Sequence, residues 1–525
     1  MEGFFSVFTV ELLNSGIRLA TPILLAALGG ALCNQAGVLN LALESKMLLG
    51  AFVGIVAAYF LGNSYIGLLV AMVAGGLLGA LFAFLYHKYK VDLVILAIAF
   101  NVIDMTLATL LGVSILIVAG VFTQDDMLRT QQMAGGPISL LFGGMVVARI
   151  LTTTGIFERV GVLFVRATHG SGKRFLLGLL VLVAPLCAFL PNATTVILLA
   201  PIIIQVAQAL QVDFVGPLVL TAIISNSAGM LTLVGDPATF LVGSSIGMTF
   251  TQYLQRVSLG GLLSVLVLLP LMPRVMGEVW RVQRDVPAML QPQPLARPVF
   301  AVVSLLVLGV MIVLFLVGEQ LPRPVVPPAV AIIGASLALL VVYSTHVEPL
   351  AHVFKDVDWK TLIFLMCMFT MVQAFTKTGI LRSVSQNLHQ SFGVNLLVVA
   401  LVMLAGIGIA SSLLANIPVV AASILMVKGY FVTAELVPEG ALGTVFTDWP
   451  VSTLPVFVAM MFGATLGGNA TLIGASANVV SAGICAAHGK PLSFATFLRY
   501  GVPLTLCQLA VSALYVVVLF YVIGR

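Results

Sequence analysis

The chain has 525 residues, of which 60% are apolar and only 8% charged. Soluble domains carry about 25% charged residues, so this composition excludes a water-soluble globular protein and indicates a polytopic membrane protein. The net charge of +5 belongs to basic loops on one membrane side and gives no argument for a nucleic-acid partner.

In chain order, apolar runs predict spans near 12–33, 40–61, 66–86, 92–122, 138–157, 214–246, 254–273, 298–317, 327–343, 360–376, 452–484 and 500–523. Segments 175–210 and 393–427 differ, because Leu190-Pro191-Asn192 and Leu414-Ala415-Asn416 interrupt them midway. Each is read as a re-entrant hairpin in preference to one kinked span. If neither hairpin crosses, basic loop residues such as Lys88, Arg159, Lys173, Arg281 and Lys490 fall on the cytoplasmic side by about two to one. The first hairpin then enters from inside and the second from outside. The two halves are inverted.

An internal repeat supports this arrangement. Gly229-Met-Leu-Thr-Leu-Val-Gly-Asp-Pro-Ala-Thr239 returns as Gly468-Asn-Ala-Thr-Leu-Ile-Gly-Ala-Ser-Ala-Asn478, with Gly229/Gly468, Thr232/Thr471, Leu233/Leu472, Gly235/Gly474 and Ala238/Ala477 identical. Glycine and small polar residues inside an apolar run break a helix, and lipid cannot satisfy the exposed backbone. Such breaks persist only where protein or a water-filled cavity covers them. Thr152-Thr-Thr-Gly-Ile-Phe-Glu-Arg-Val160 likewise matches Thr376-Lys-Thr-Gly-Ile-Leu-Arg-Ser-Val384, and the same offset sets Asn192 on Asn416. The motif offset is larger, which places about 15 extra residues around 428–450 of the second half. Duplicated hairpins and broken spans are the pattern of inverted-repeat carriers, with binding at the midplane. The expected fold is an all-α polytopic membrane protein: an inverted-repeat secondary transporter with two re-entrant hairpins and two broken transmembrane helices. Its first repeat covers 104–273, a cytoplasmic linker 274–297, and the second, inverted repeat 298–525.

The candidate site lies where these interruptions meet. Asn192, Thr194 and Thr195 at the first tip, with Asn416 at the second, offer amide and hydroxyl groups to a small anion or a cation. The alternative role for the first three is capping the turn. Asn226, Asn469, Thr471, Ser476 and Asn478 complete the expected substrate-binding set. Ser225, Thr232, Gly235, Asp236 and Gly474 form the expected cation-coupling set, because unwound backbone can coordinate sodium. Asp236 is the only acidic residue near the first break, and a carboxylate at membrane depth is costly enough to suggest function. It either binds sodium or carries a proton, or it caps the half-helix that resumes at Pro237. Ala475 holds the symmetric position, so a carboxylate-dependent cation site exists in one half only. Arg149 either attracts an anion, balances Asp236 or snorkels to an interface.

From about residue 105 onward the chain resembles the ion transporter superfamily, which includes citrate and dicarboxylate carriers, arsenite pumps, sodium/proton antiporters and the melanosomal P protein. The pieces that carry the resemblance are Leu190-Pro-Asn-Ala-Thr-Thr195, Ser225-Asn226 with Thr232-Leu-Val-Gly-Asp-Pro237, and Gly467-Gly-Asn-Ala-Thr-Leu-Ile-Gly-Ala-Ser-Ala-Asn478. The resemblance implies that tips and breaks meet at the substrate and coupling-ion site, and that an elevator motion carries them. Residues 1–103 instead resemble the start of a sugar or nucleoside permease of the ATP-binding-cassette type. That likeness rests on Thr21-Pro-Ile-Leu-Leu-Ala-Ala-Leu-Gly-Gly30, Ala36-Gly-Val-Leu-Asn-Leu-Ala-Leu-Glu44 and Val94-Ile-Leu-Ala-Ile-Ala-Phe-Asn-Val-Ile103.

The expectation is therefore a secondary carrier of a small anion, citrate, a dicarboxylate or another oxyanion, coupled to sodium or protons (Na+ or H+). A sodium/proton antiporter, an arsenite efflux carrier and an ATP-driven permease subunit are the alternatives. No enzyme is expected. Gly243-Ser-Ser-Ile-Gly247 fits a nucleophile pattern, but the six histidines fall in predicted loops or at span edges. The five cysteines have no CxxC spacing, so neither a disulfide framework nor a structural metal is expected, and no cofactor beyond the coupling ion. Expected partners are the anion and the lipid bilayer, with a homodimer allowed. The expected location is a bacterial-type inner membrane.

Overall fold

The computed structural model describes residues 63–89 and 122–523, interrupted at 285–296, 378–379, 415, 443–445 and 447, with scattered positions between 50 and 120. The chain divides into two compact units, Met1–Thr123 and Gln124–Arg525. The permease-like motifs at 21–30, 36–44 and 94–103 lie outside the described residues. In the first unit, α1 (Ser64–Tyr89) starts where Asn63 Oδ1 accepts the Tyr65 amide at 2.9 Å. Its 26 residues reach about 39 Å, enough to cross a bilayer.

The second unit begins with α2 (Gln124–Thr152), which carries Asp125 and Asp126 in its first turn, where carboxylates favour the helix dipole. The helix starts well before the apolar run at 138 and stops before 157. It stops because the hydroxyls of Thr152, Thr153 and Thr154 bond back to the carbonyls of Arg149, Ile150 and Leu151. Gly155 then takes a positive φ of 72°. An amphipathic helix, α3 (Ile156–Thr168), follows.

Next come α4 (Gly172–Cys187) and α5 (Asn192–Ala209). One continuous helix over 172–209 would be about 57 Å long, nearly twice the hydrocarbon thickness of about 30 Å. Pro191 separates the two arms, and proline disfavours a helical residue before it. The first broken span is α6 (Val215–Ala228), a 3-10 turn at Gly229–Leu231, a connecting stretch at 232–236, and α7 (Pro237–Ser245). Helices α8 (Phe250–Arg256), α9 (Ser258–Leu266) and α10 (Leu268–Val275) close the first repeat.

The second half opens with α11 (Pro298–Val317), α12 (Pro327–Thr345) and the short α13 (Leu350–Lys355). The repeat then recurs as α14 (Trp359–Lys377), α15 (Ile380–Phe392), hairpin arms α16 (Leu396–Leu413) and α17 (Asn416–Thr433), and broken span α18 (Leu454–Gly467) and α19 (Ser476–Ala487), with α20 (Phe494–Ile523) last. Both α3 and α15 have 13 residues, and each of the matched motifs begins in the helix before it, at Thr152 of α2 and Thr376 of α14. The extra chain of the second repeat lies between α17 and α18, over 434–453, where the first repeat has only 210–214.

Helices α2, α11, α12 and α14 pack as one group. A Cβ on Gly143 would meet Ala331 O at 2.4 Å, so glycine is what lets α2 touch α12. The hairpins and broken spans form the other group, and their partners cross between repeats. Helix α7 of the first packs on α17 of the second, while α19 of the second packs on α5 of the first. Among the described residues, no strand forms and nine helices are long and apolar enough to cross a membrane. The result is an all-α inverted-repeat architecture with two re-entrant hairpins and two broken helices.

Candidate functional site

Each hairpin tip is tied to the break of its own repeat, and the ties repeat too. Thr232 donates its hydroxyl to Ala188 O, and Thr471 donates to Ser412 O. Cys187 Sγ lies 3.0 Å from Ser225 Oγ, while at the matching place Ser411 donates to Ala464 O. Ser225 Oγ also donates to Asn192 O at 3.0 Å. The two connecting loops fold on themselves alike. A Cβ on Gly235 would sit 2.5 Å from Gly229 O, and one on Gly474 would sit 2.5 Å from Gly468 O. The conserved spacing of these glycines within the chain therefore has a steric cause, a backbone approach that no other residue permits.

In the first repeat the tip carbonyls also approach this loop. The carbonyl oxygens of Cys187 and Ala188 stand 2.7 and 3.1 Å from the same Gly235 position, so three carbonyls converge there. Asn192 Oδ1 is buried and accepts no hydrogen bond. It stands 3.0 Å from the Cβ position of Gly229, beside Asp236 Cβ at 3.1 Å and Gly235 O at 3.2 Å. Ala188 O accepts the Thr232 hydroxyl and Asn192 Oδ1 has no donor; closely gathered oxygens of this kind are the type of ligand a hard cation takes.

Asp236 is 1% exposed and performs two tasks. It caps α7 by accepting the Thr239 amide at 3.3 Å, and it accepts the Thr465 hydroxyl of the other repeat at 3.0 Å. The Asn416 side chain at the second tip is also set against this carboxyl. Ala475, its symmetric counterpart, gives α19 no side-chain cap. At the far end of α7, the buried Lys428 donates to Ser245 O at 2.8 Å and lies 5.2 Å from the Trp449 ring. A carboxylate at the N-terminus and an ammonium at the C-terminus both favour the dipole of this short helix.

The remaining amides form one buried chain. Asn226 Nδ2 donates to Asn469 Oδ1 at 3.0 Å and to Asn478 Oδ1 at 3.1 Å. Asn469 Nδ2 donates to Ser227 Oγ and Gln508 Oε1, both at 3.0 Å. Asn478 Nδ2 donates to Gly468 O and Thr471 O, both at 2.8 Å. Thr195 is buried and bonds back to Pro191 O at 3.3 Å, and Thr194 is partly buried one residue before it. Ser476 is exposed at the start of α19, outside this chain of bonds. Arg149 pairs with Asp356 at 2.6 Å and Glu348 at 3.1 Å, so its charge is balanced there and not by Asp236.

Sequence reading missed Thr465, Ser227, Ser264, Gln508 and the tip carbonyls. A lone amide in the apolar run of α20 was the one signal for Gln508. No group of three or more His, Cys, Asp or Glu side chains suited to a metal ion occurs among the described residues.

Paired hairpins docked on paired broken helices define an integral, multi-pass membrane transporter. A family model described as citrate transporter (CitMHS) matches residues 95–447, which include both tips and the first break. The chain belongs to this family, and so to the ion transporter superfamily that its motifs resemble. It is 41% identical over 433 residues to an uncharacterised transporter of Synechocystis sp., covering 82% of this chain and 96% of that protein. An uncharacterised transporter of Mycobacterium tuberculosis is 32% identical over 432 residues, with 81% and 96% covered. The human P protein is 27% identical over 508 residues, with 81% and 59% covered. A crystal structure of the Alcanivorax borkumensis YdaH transporter, described as having an unusual topology, superposes with a TM-score of 0.53 at 12% identity. It covers 76% of this chain and 88% of that one, a likeness of fold alone. The Synechocystis, Mycobacterium and Alcanivorax proteins are named as transporters, and by its family the chain is a transporter and not an enzyme.

Proposed function

We propose that this protein is a secondary active carrier of a small anion, driven by a sodium or proton gradient, with both ligands held where tips meet breaks. The observation that supports this most strongly is the unpaired Asn192 Oδ1 amid the backbone oxygens around Gly229 and Gly235. Such a cluster suits a coupling cation.

The charge balance favours coupling as well. The tips and breaks contain Asp236 and no Lys, Arg or His. A bare multivalent anion placed there would be uncompensated, which costs several kcal/mol or more per charge. Citrate or a dicarboxylate therefore enters with a cation that supplies the missing positive charge. Amides and hydroxyls of Asn192, Thr194 and Asn416 then orient its oxygens. The tips are bonded to the breaks, so the unit moves as a body against α2, α11, α12 and α14 in an elevator motion. The bilayer is that of a bacterial-type inner membrane.

A second reading rests on Asp236, the carboxylate of the first break. A proton exchanged at this carboxyl against sodium makes the protein an antiporter. Uptake of labelled citrate, succinate and arsenite into proteoliposomes separates the two, each with sodium, with choline and across a proton gradient. Uptake of a carboxylate only with a coupling cation supports the carrier. Cation exchange without any anion supports the antiporter.

A further inference from the structure

The linker between the repeats is fastened to the base of the first hairpin. After α10 a single helical turn, Gly277–Trp280, brings residues 281–284 back onto the loop before α4. Gly172 N donates to Val282 O and Arg284 N to Gly170 O, both at 2.9 Å. Gln283 Nε2 donates to His169 O at 3.0 Å, and Ser171 and Gln283 form an isolated antiparallel bridge. A Cβ on Gly172 would stand 1.8 Å from Val279 O, so only glycine admits this approach.

The bridge gathers cations from two segments distant in sequence. Lys173 and Arg174 come from the first turn of α4, Arg281 and Arg284 from the linker, and all four are exposed. Lys173 Nζ lies 5.7 Å from the centre of the half-buried Trp280 ring, which sets it beside the linker. None of the four forms an ion pair with a carboxylate of the described residues. The nearest acids in sequence are Glu278, which is exposed, and Asp285, which lies outside the described residues.

Two of these charges stand where the helix disfavours them. A helix N-terminus carries partial positive charge, so Lys173 and Arg174, the second and third residues of α4, oppose its dipole. No acid accompanies them in that turn, in contrast to Asp125 and Asp126 at the start of α2. The positive-inside rule accounts for cations on this side of the membrane, but a loop position would serve it equally well. An external anion relieves the conflict, because it meets the dipole and the four side chains together. By the loop charges, the hairpin base stands at the inner membrane surface, a level that tryptophan favours. The anion concentrated there is the phosphate of lipid headgroups.

We propose that Lys173, Arg174, Arg281 and Arg284 form a binding surface for the headgroups of anionic phospholipids, built by the bridge at the base of the first hairpin. A headgroup seated across the bridge touches both segments, so it stabilises their junction as well as holding it to the leaflet. The surface serves whichever ion is carried and does not rest on the cation-coupled reading above.

The test is thermal unfolding of the purified full-length protein in detergent, titrated with dioleoyl phosphatidylglycerol, with dioleoyl phosphatidylcholine or with inorganic phosphate. Phosphatidylglycerol should give a saturable rise in Tm that the other two do not. Lys173→Gln with Arg174→Gln, and Arg281→Gln with Arg284→Gln, should each raise the half-saturating phosphatidylglycerol concentration about twentyfold, at about fivefold per lost charge. The first pair should keep its Tm in phosphatidylcholine, since the cations it removes oppose the dipole. Arg159→Gln with Lys355→Gln removes two exposed cations elsewhere on the same membrane side and should change that concentration less than about twofold. An equal loss in this control would mean bulk surface charge, and an equal rise with inorganic phosphate would mean a free-anion site. Either result would overturn the proposal, as would a wild type with no phosphatidylglycerol-specific rise. None of these outcomes bears on the carrier reading, which the uptake assay tests.

Discussion

Thr465 donates its hydroxyl to the carboxylate of Asp236 at 3.0 Å, a bond that crosses from the second repeat into the first. The same carboxylate caps α7 through the Thr239 amide. Charge and hydrogen bonding at this residue are therefore separable. Asp236→Asn keeps an acceptor for both donors, and asparagine caps helices nearly as well as aspartate, so stability should change by less than about 1 kcal/mol. Asp236→Ala loses both bonds and should cost about 1–3 kcal/mol. Thermal unfolding distinguishes the pair. In uptake assays Asp236→Asn should lose cation dependence, and unchanged dependence would remove Asp236 from coupling.

The connecting loops admit no side chain at Gly235 or Gly474. An added methyl would stand 2.5 Å from a backbone oxygen in either case. Gly235→Ala and Gly474→Ala should each destabilise by about 1–3 kcal/mol and stop transport, as overpacking does where backbone must yield. Gly277 has nothing within 4 Å of its Cβ position, so Gly277→Ala should leave both stability and transport intact. Parallel uptake and melting curves give the comparison.

Thr232 and Thr471 should respond alike. Each holds a tip carbonyl, and valine in its place leaves a buried acceptor unsatisfied at a cost of about 1–3 kcal/mol. Hydrogen exchange at 187–192 should accelerate in Thr232→Val and at 411–416 in Thr471→Val. Exchange at the opposite tip should not change.

Arg149 belongs to the other group of helices. Arg149→Met leaves the half-buried Glu348 without its cation and breaks the bond to Asp356. Stability should fall by about 1–2 kcal/mol, with substrate and cation affinity unchanged. A change in substrate affinity would mean that Arg149 reaches the substrate.

How much of this was legible in the sequence depends on whether a residue breaks a local rule. Gly229, Gly235, Gly468 and Gly474 announce their loops because glycine and small polar residues are poor choices inside an apolar helix. Pro191 and Asn192 mark the first tip for the same reason, and Asp236 is conspicuous as a charge at membrane depth. The structure then joins these features by bonds that span scores of residues, such as Asn226 to Asn478, and no local pattern encodes those. Thr465 and Ser227 sit in ordinary helical positions and become meaningful only when another element arrives beside them. The motif marks Asn469 and Asn478 as candidate substrate ligands but not the bonds their amides make with protein atoms. The exposed Ser476 was unreadable in another way, since exposure is set by tertiary packing and not by the motif.

The most direct test of cation-coupled anion transport is the current evoked by a rapid citrate or succinate jump on proteoliposomes adsorbed to a solid-supported membrane. The account predicts a transient current in sodium, or under an imposed proton gradient, and none when choline replaces sodium at symmetric pH. A current of equal size in choline without a proton gradient would contradict it.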